Sequence, residues 1–274
     1  MVIPFIKAQA AGNDFLIIEQ DSLAAVGLDE SHYAAVGRAA CHRTLGVGAD
    51  GLEIVCPAPG DSNADALLRV INSDGSEAEI SGNGTRCVAA YLAEERGLDG
   101  TLRLATAAGE KEVRPLDRNG LEFICEMSMG IPHYELTEVG CALVTSQGPI
   151  AVTLLNVGNP QCAVLVEDFE MDWRSLGAEI EIHERFPNRT NVSFVRVVDE
   201  HTIETRIWER GAGETSSSGT GSTGAAAAAI LNNRTTSPVR IVTPAGEMEL
   251  RWNHEAVLRG PARLVARGEF FYEG

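Results

Sequence analysis

Two serines set in glycine turns are the residues of this 274-residue chain best placed to do chemistry: Ser81-Gly82-Asn83-Gly84-Thr85 and Ser218-Gly219-Thr220-Gly221-Ser222. Each turn stands where the pattern predicts a helix start. The first N–H groups of a helix have no intrahelical partner, and they lie at the positive end of its dipole. Such a turn is therefore ready to bind an anion. One turn alone reads as a capped helix with serine at the N-cap. Two turns at matched positions point to a shared ligand instead, with a carboxylate gripped from both sides in one cleft and one serine on each side. That arrangement suits a reaction in which a proton leaves one face of a carbon and returns to the other.

Glu209-Arg210-Gly211 follows a strand pattern at 203–209. A carboxylate beside a guanidinium can bind an ammonium and a carboxylate together. The plain alternative is a surface ion pair of little energetic weight. Asn72 occupies the position in the first half that Glu209 holds in the second, although Asn72-Ser-Asp-Gly-Ser76 also fits an Asx-type turn. Asn13, Asn83, Asn159 and Asn191 lie in or beside loops. Their amides both donate and accept, which suits a zwitterion. Gly219-x-Gly-x-x-Gly224 matches a dinucleotide fingerprint in spacing only. Residues 210–218 carry no strand pattern, and no strand-ending acid follows about 20 positions on.

The elements that hold these residues come in two copies. An ungapped offset of 137 relates Ser81 to Ser218, Glu77 to Glu214, Arg103 to Arg240, Thr106 to Thr243 and Ala108-Gly109-Glu110 to Ala245-Gly246-Glu247. Self-similarity of that kind marks two copies of one structural unit. A weaker echo, at an offset of 146, relates Gly12-Asn13 to Gly158-Asn159. Strand patterns fall at 3–8, 15–20, 51–56, 66–72, 101–106, 111–116 and 121–129, then at 149–155, 161–166, 192–198, 203–209, 238–243, 247–252, 255–259 and 263–272. Helix patterns fall at 31–41, 83–96 and 219–232, with a shorter one near 171–178. Many strands and one long helix per copy predict an α/β (α+β) fold. It has two pseudo-symmetric domains, each a curved barrel-like sheet around a central helix. Gly224 followed by Ala225 to Ala229 gives the second helix almost no bulk, so strands can close tightly round it. The polar turn at 117–120 marks the boundary, giving domains of 1–118 and 119–263, with 264–274 to be placed.

The charge balance is acidic, with 22 basic against 39 acidic residues and a net charge of −17. Nucleic acid and anionic membrane are poor partners for such a surface. No signal peptide or membrane-spanning stretch is expected. The six cysteines (41, 56, 87, 125, 141 and 162) form no Cys-x-x-Cys pair. They read as reduced, buried thiols of a cytoplasmic protein, with no metal site.

Several motifs together resemble the diaminopimelate epimerase family. They are Lys7-x-x-x-x-Gly12-Asn-Asp-Phe15, Arg43-x-x-Gly46-x-Gly-Ala-Asp-Gly51, Asn72-x-Asp-Gly-Ser76, Ser81-Gly-Asn-Gly-x-Arg86-Cys87, Gly158-Asn-Pro160, Arg189-Thr-Asn-Val192, Glu209-Arg-Gly-Ala-Gly-Glu-Thr215 and Gly260-Pro-Ala262. The resemblance runs from residue 4 to the last strand in motif order. It implies that the last strand returns to the first domain, so that 264–274 joins 1–118. It also implies a cofactor-independent isomerase that interconverts L,L- and meso-2,6-diaminoheptanedioate for lysine and peptidoglycan precursor synthesis. Its partner is then a small amino-acid substrate, and a homodimer is compatible with it. By the same resemblance Asn13, Asn72, Asn159, Asn191, Glu209 and Arg210 contact substrate, and Gly82, Asn83, Gly219 and Thr220 hold its α-carboxylate. Ser81 and Ser218 take the acid/base positions, with Glu209 beside them.

Both acid/base positions carry cysteine in the family, and Gln161 and Gln9 stand where histidine is usual. Three readings follow. The serines could mark a trapped inactive enzyme, against which the two glutamines argue. The chain could be a divergent epimerase or racemase in which Glu209 activates one serine. Or it could be a former epimerase that now binds an amino acid, or runs a one-base isomerisation or elimination.

Overall fold

The computed structural model describes residues 1–98 and 100–274, and the chain falls into two compact units. Unit 1 is Met1–Met127 with Gly260–Gly274, and unit 2 is Ser128–Arg259. Unit 1 opens with β1 (Val2–Ala10), β2 (Asn13–Glu19), α1 (Gln20–Ala24), α2 (Tyr33–Cys41), β3 (Gly51–Cys56) and β4 (Ala66–Asn72). It continues with β5 (Glu77–Ala78), α3 (Gly82–Arg96), β6 (Leu102–Thr106), β7 (Gly109–Asn119) and β8 (Glu122–Gly130), whose last residues lie in unit 2. Unit 2 then holds β9 (Cys141–Thr145), β10 (Gly148–Asn156), β11 (Pro160–Val166), α4 (Trp173–Glu181), β12 (Asn191–Asp199) and β13 (Thr202–Glu209). After these come β14 (Gly213–Thr215), α5 (Gly219–Leu231), β15 (Val239–Thr243), β16 (Gly246–Trp252) and β17 (Ala256–Phe271).

In unit 1 the strands β1, β2, β3, β4, β6, β7, β8 and β17 pair in that order, and β17 pairs with β1 to close the barrel. The central helix α3 is buried from Asn83 to Leu92 and ends at Gly97, which takes the left-handed conformation at φ 62°. Helices α1 and α2 cover β2 and β3 on the outside, where Leu23, Tyr33 and Val36 pack with Leu16, Ile18 and Ile54. In unit 2, β10 to β13, β15, β16 and the start of β17 form the curved sheet. Its helix α5 shows no exposure at any of Ala225 to Ala229. Helix α4 lies outside, with Trp173, Leu176 and Ile180 packed on Phe194.

The sequence repeat is reproduced pair by pair in strand register. Ile71 faces Glu77 and Trp208 faces Glu214. Ala66 faces Leu104 and Ile203 faces Ile241. Leu104 faces Lys111 and Ile241 faces Met248. Each second pair lies 137 residues beyond the first.

Some elements differ from the sequence reading. Residues 117–120 form the tip of the β7–β8 hairpin, where Asn119 faces Glu122, and the two compact units meet in the chain at Met127/Ser128 and Arg259/Gly260 instead. A polar turn looks alike in a hairpin and at a boundary. The elements β5, β9, β14 and α1 had no prediction; none exceeds five residues, too short for periodicity to register. The strand β14 lies within 210–218, read above as free of strand. Among the described residues no helix is long and apolar enough to cross a membrane.

Candidate functional site

In unit 1 the chemistry gathers at the start of α3. Ser81 has an extended backbone (φ −122°, ψ 117°) and caps the helix, its Oγ accepting the Gly84 N–H at 3.1 Å. The Thr85 N–H goes to the Ser81 carbonyl at 2.8 Å. The first-turn donors left to offer a ligand are the N–H groups of Gly82 and Asn83. The Asn83 side chain is buried; its amide donates to Asn13 Oδ1 at 3.3 Å and its Oδ1 accepts from Arg86 at 2.6 Å. Asn13 opens β2 just after a two-residue turn with both residues at positive φ, Ala11 at 47° and Gly12 at 76°. Glycine takes that conformation freely, and alanine does not. The Asn13 amide also donates to Asp50 at 2.6 Å. Arg43 bridges Asp14 and Asp50, and Lys7 pairs with Asp14 at 2.9 Å. Burial works against the charge on Asp14, but hydrogen bonds and charge from Arg43 and Lys7 outweigh it and hold the carboxyl below its ordinary value. This ionic cluster fixes the Asn13 turn.

Unit 2 repeats the arrangement at α5. Ser218 Oγ accepts the Gly221 N–H at 3.2 Å and the Ser218 carbonyl takes the Ser222 N–H at 2.9 Å, leaving Gly219 and Thr220. The Asn159 amide donates to Thr220 Oγ1 at 3.3 Å, as Asn83 and Asn13 meet in unit 1. Gln161 donates to Asn159 Oδ1 at 2.6 Å, and its own Oε1 is buried without a hydrogen-bond partner among the described residues. The weak Gly-Asn echo in the sequence thus corresponds to equivalent side-chain contacts.

Ser218 differs from Ser81 in one respect: its Oγ donates to Glu209 Oε2 at 2.9 Å. The carboxyl of Glu209 is enclosed although the residue as a whole is only half-buried. That burial raises its pKa, and facing hydroxyls, Ser218 among them, offset part of the rise. The following loop is tied down by Glu181, which accepts from Trp208 Nε1 at 2.8 Å and from the Gly211 N–H at 2.9 Å. Asn191 accepts the Arg210 N–H at 2.9 Å and donates to the Pro160 carbonyl at 3.0 Å. The Arg210 guanidinium is exposed and donates to the Asn188 carbonyl at 3.3 Å.

The residues singled out from sequence therefore form two clusters. Unit 1 brings together Ser81, Gly82, Asn83 and Asn13. Unit 2 brings together Ser218, Gly219, Thr220, Asn159, Asn191, Glu209 and Arg210. Asn72 ends β4 opposite Gly51, and its amide is spent within its own turn, donating to Ser76 Oγ at 2.9 Å. Sequence reasoning missed the supporting acids Asp14, Asp50 and Glu181, and it missed Glu53. The signal for Glu53 was present: one charge inside the apolar run Leu52-Glu53-Ile54-Val55. Cys87 is core, with burial pushing its thiol well above the ordinary value.

Each cluster offers a hydroxyl, two free amides and fixed side-chain amides, the furnishings for holding a carboxylate beside a proton-transfer group. The comparisons with known proteins bear on the family. The sequence profile for diaminopimelate epimerase matches residues 5–134 and 153–265. The diaminopimelate epimerase of Pelotomaculum thermopropionicum is 36% identical over 283 residues, covering 98% of this chain and 99% of that protein. That of Moorella thermoacetica is 35% identical over 281 residues, covering 97% and 98%. Among solved structures, a probable proline racemase from Agrobacterium radiobacter superposes with a TM-score of 0.72 at 16% identity, covering 97% of this chain and 92% of that one. A hydroxyproline epimerase from Agrobacterium vitis gives 0.71 at 17%, covering 98% and 90%, and at such identities the likeness bears on the fold alone. By motif, length and fold, this chain belongs to the diaminopimelate epimerase family.

Proposed function

We propose that the protein interconverts L,L- and meso-2,6-diaminoheptanedioate by proton transfer at the α-carbon. Ser81 serves one face and Ser218 the other. The observation that carries the reading is the Ser218–Glu209 contact at 2.9 Å, a hydroxyl on a base whose burial raises its pKa above the ordinary carboxylate value. A base works best with a pKa near the working pH. The N–H groups of Gly82, Asn83, Gly219 and Thr220 take the α-carboxylate. Asn13, Asn159 and Asn191 supply amides around the zwitterion, and Arg210 takes the distal carboxylate.

On the Ser218 face the Cα–H bond breaks as the proton passes to Ser218 Oγ, whose own proton moves to Glu209. The electron pair left on Cα delocalises into the carboxylate that the amides hold. On the other face the Ser81 hydroxyl gives its proton to Cα, and inversion is complete once Ser81 is reprotonated. The test is incubation of the L,L isomer in deuterated water, followed by NMR. Deuterium at the α-carbon together with formation of the meso isomer is expected, and absence of both overturns the reading in favour of an amino-acid-binding protein.

A second reading has its own support: among the described residues the hydroxyl of Ser81 contacts no carboxylate like the one on Ser218. A one-base isomerisation or elimination needs only the Ser218 face. Exchange of the α-hydrogen without inversion identifies that case.

A further inference from the structure

We propose that Glu53 is the proton reservoir for Ser81, the counterpart in unit 1 of Glu209 beside Ser218. The inference rests on the two-face reading above and supplies the group that reprotonates Ser81.

Glu53 lies in the middle of β3 with no exposure, and neither carboxyl oxygen has a hydrogen-bond partner among the described residues. Leaving a buried polar group unpaired is costly, more so if it is charged, so its presence calls for an explanation. It aims at the first turn of α3. A methyl placed on Gly84 would lie 1.6 Å from Glu53 Oε1 and 3.1 Å from Ser81 Cβ, so the carboxyl and the serine flank the same glycine. Gly84 is also the residue whose N–H holds Ser81 Oγ. Only a residue without Cβ admits the carboxyl there.

The repeat sharpens the point. Glu53 faces Val70 across the β3–β4 ladder, and Ser193 faces Ile207 across β12–β13. Ser193 is thus the equivalent of Glu53, and its hydroxyl reaches the Gly221 carbonyl in the first turn of α5 at 3.2 Å. In unit 2 the carboxyl comes from Glu209, and this inner position is a short hydroxyl. In unit 1 the position equivalent to Glu209 is the neutral Asn72, occupied in its own turn, and the inner position carries the acid. Each unit thus holds one enclosed carboxyl close to its serine, delivered from different strands.

Burial alone pushes the Glu53 carboxyl up to about 8. The titratable group the structure couples to it is Cys87 on α3, which senses the charge of Glu53 together with those of Arg86, Cys125 and Asp14. When Ser81 takes a proton from Cα, its own hydroxyl proton moves to ionised Glu53. When Ser81 gives a proton to Cα, protonated Glu53 restores it. Inversion then moves one proton from Cα to one carboxyl and one proton from the other carboxyl to Cα, so the pair must carry a single proton between them. Glu53 touches no reacting atom and is a positioning and relay residue.

The test uses the full chain and Glu53→Gln. For the native protein the inversion rate against pH should be bell-shaped, with limbs belonging to the carboxyl pair. Glu53→Gln should lose inversion about a hundredfold in both directions with KM little changed. It should keep α-hydrogen exchange without inversion for the isomer whose hydrogen faces Ser218, titrating with one inflection. Equal loss of exchange from both isomers, or an unchanged bell, overturns the proposal. If Glu53→Gln does not fold, infrared spectroscopy of the native chain decides. A protonated carboxyl band should vanish with a midpoint near 8 and shift in Ser81→Ala; a band indifferent to that substitution rejects the relay. Native protein that exchanges no α-hydrogen of 2,6-diaminoheptanedioate rejects the proposed function instead, and the infrared result still reads the Glu53–Ser81 link.

Discussion

A serine hydroxyl ionises far above neutrality, whereas a free thiol does so at about 8.5, and each unit of mismatch corresponds to about 1.4 kcal/mol. Replacing Ser81 and Ser218 together by cysteine should therefore raise epimerase turnover by at least about a hundredfold, with affinity nearly unchanged, because the amides and asparagines that hold substrate stay in place. Adding Gln161→His should raise it further: the Gln161 side chain lies over Gly224, where the missing Cβ leaves room, and an imidazole there supplies a base. Loss of the L,L isomer measures both steps. A native serine enzyme as fast as the double cysteine variant would show that the carboxyls already supply what the hydroxyls lack. Arg210→Ala should weaken binding of 2,6-diaminoheptanedioate far more than binding of alanine, since alanine has no distal carboxylate to pair. Calorimetric titration with both ligands checks this, and equal losses would place Arg210 outside the distal pocket. At this scale the sequence pointed to Ser81, Ser218 and Glu209 because the repeat marked them or their neighbours. Glu53 escaped notice because an apolar strand with one acid looks, in one dimension, like a strand with one outward-facing residue. Only the covering helices α1 and α2 on one side and α3 on the other show that both of its faces are inside.

Among the elements, α5 is the one whose composition is dictated by its surroundings. Ala225 to Ala229 meet strands on every side, and none is exposed. Ala227→Leu must force extra methylenes into that space and should cost about 1–3 kcal/mol or more. Ala142→Leu on β9, at an exposed position, should cost little. Guanidinium unfolding midpoints compare the two. The long helices were legible nearly to the residue, 83–96 against Gly82–Arg96 and 219–232 against Gly219–Leu231, because glycine turns and alanine runs announce them. The two-residue β5 and three-residue β14 were not, because pairing with β4 and β13 makes them strands, and pairing is not a local property.

For the whole molecule, the 137-residue offset told most: two copies, one helix inside each sheet, and equivalent turns at both helix starts. It could not say where one copy stops, because β17 belongs to both. That strand contributes Ala256–Arg259 to unit 2 and its remaining residues to unit 1, where they pair with β1 and β8. This sharing inverts the usual order of events on the ribosome, where the earlier-made domain folds first. The whole of unit 2 emerges before the strand that completes unit 1. Residues 1–127 must therefore wait with β1 and β8 as open edges, the kind of edge that recruits other chains. A chain ended after Arg259 should keep the protease-resistant core of unit 2 but leave unit 1 prone to aggregation. Supplying residues 260–274 as a separate peptide should reduce that aggregation, as a missing stave does for a cask.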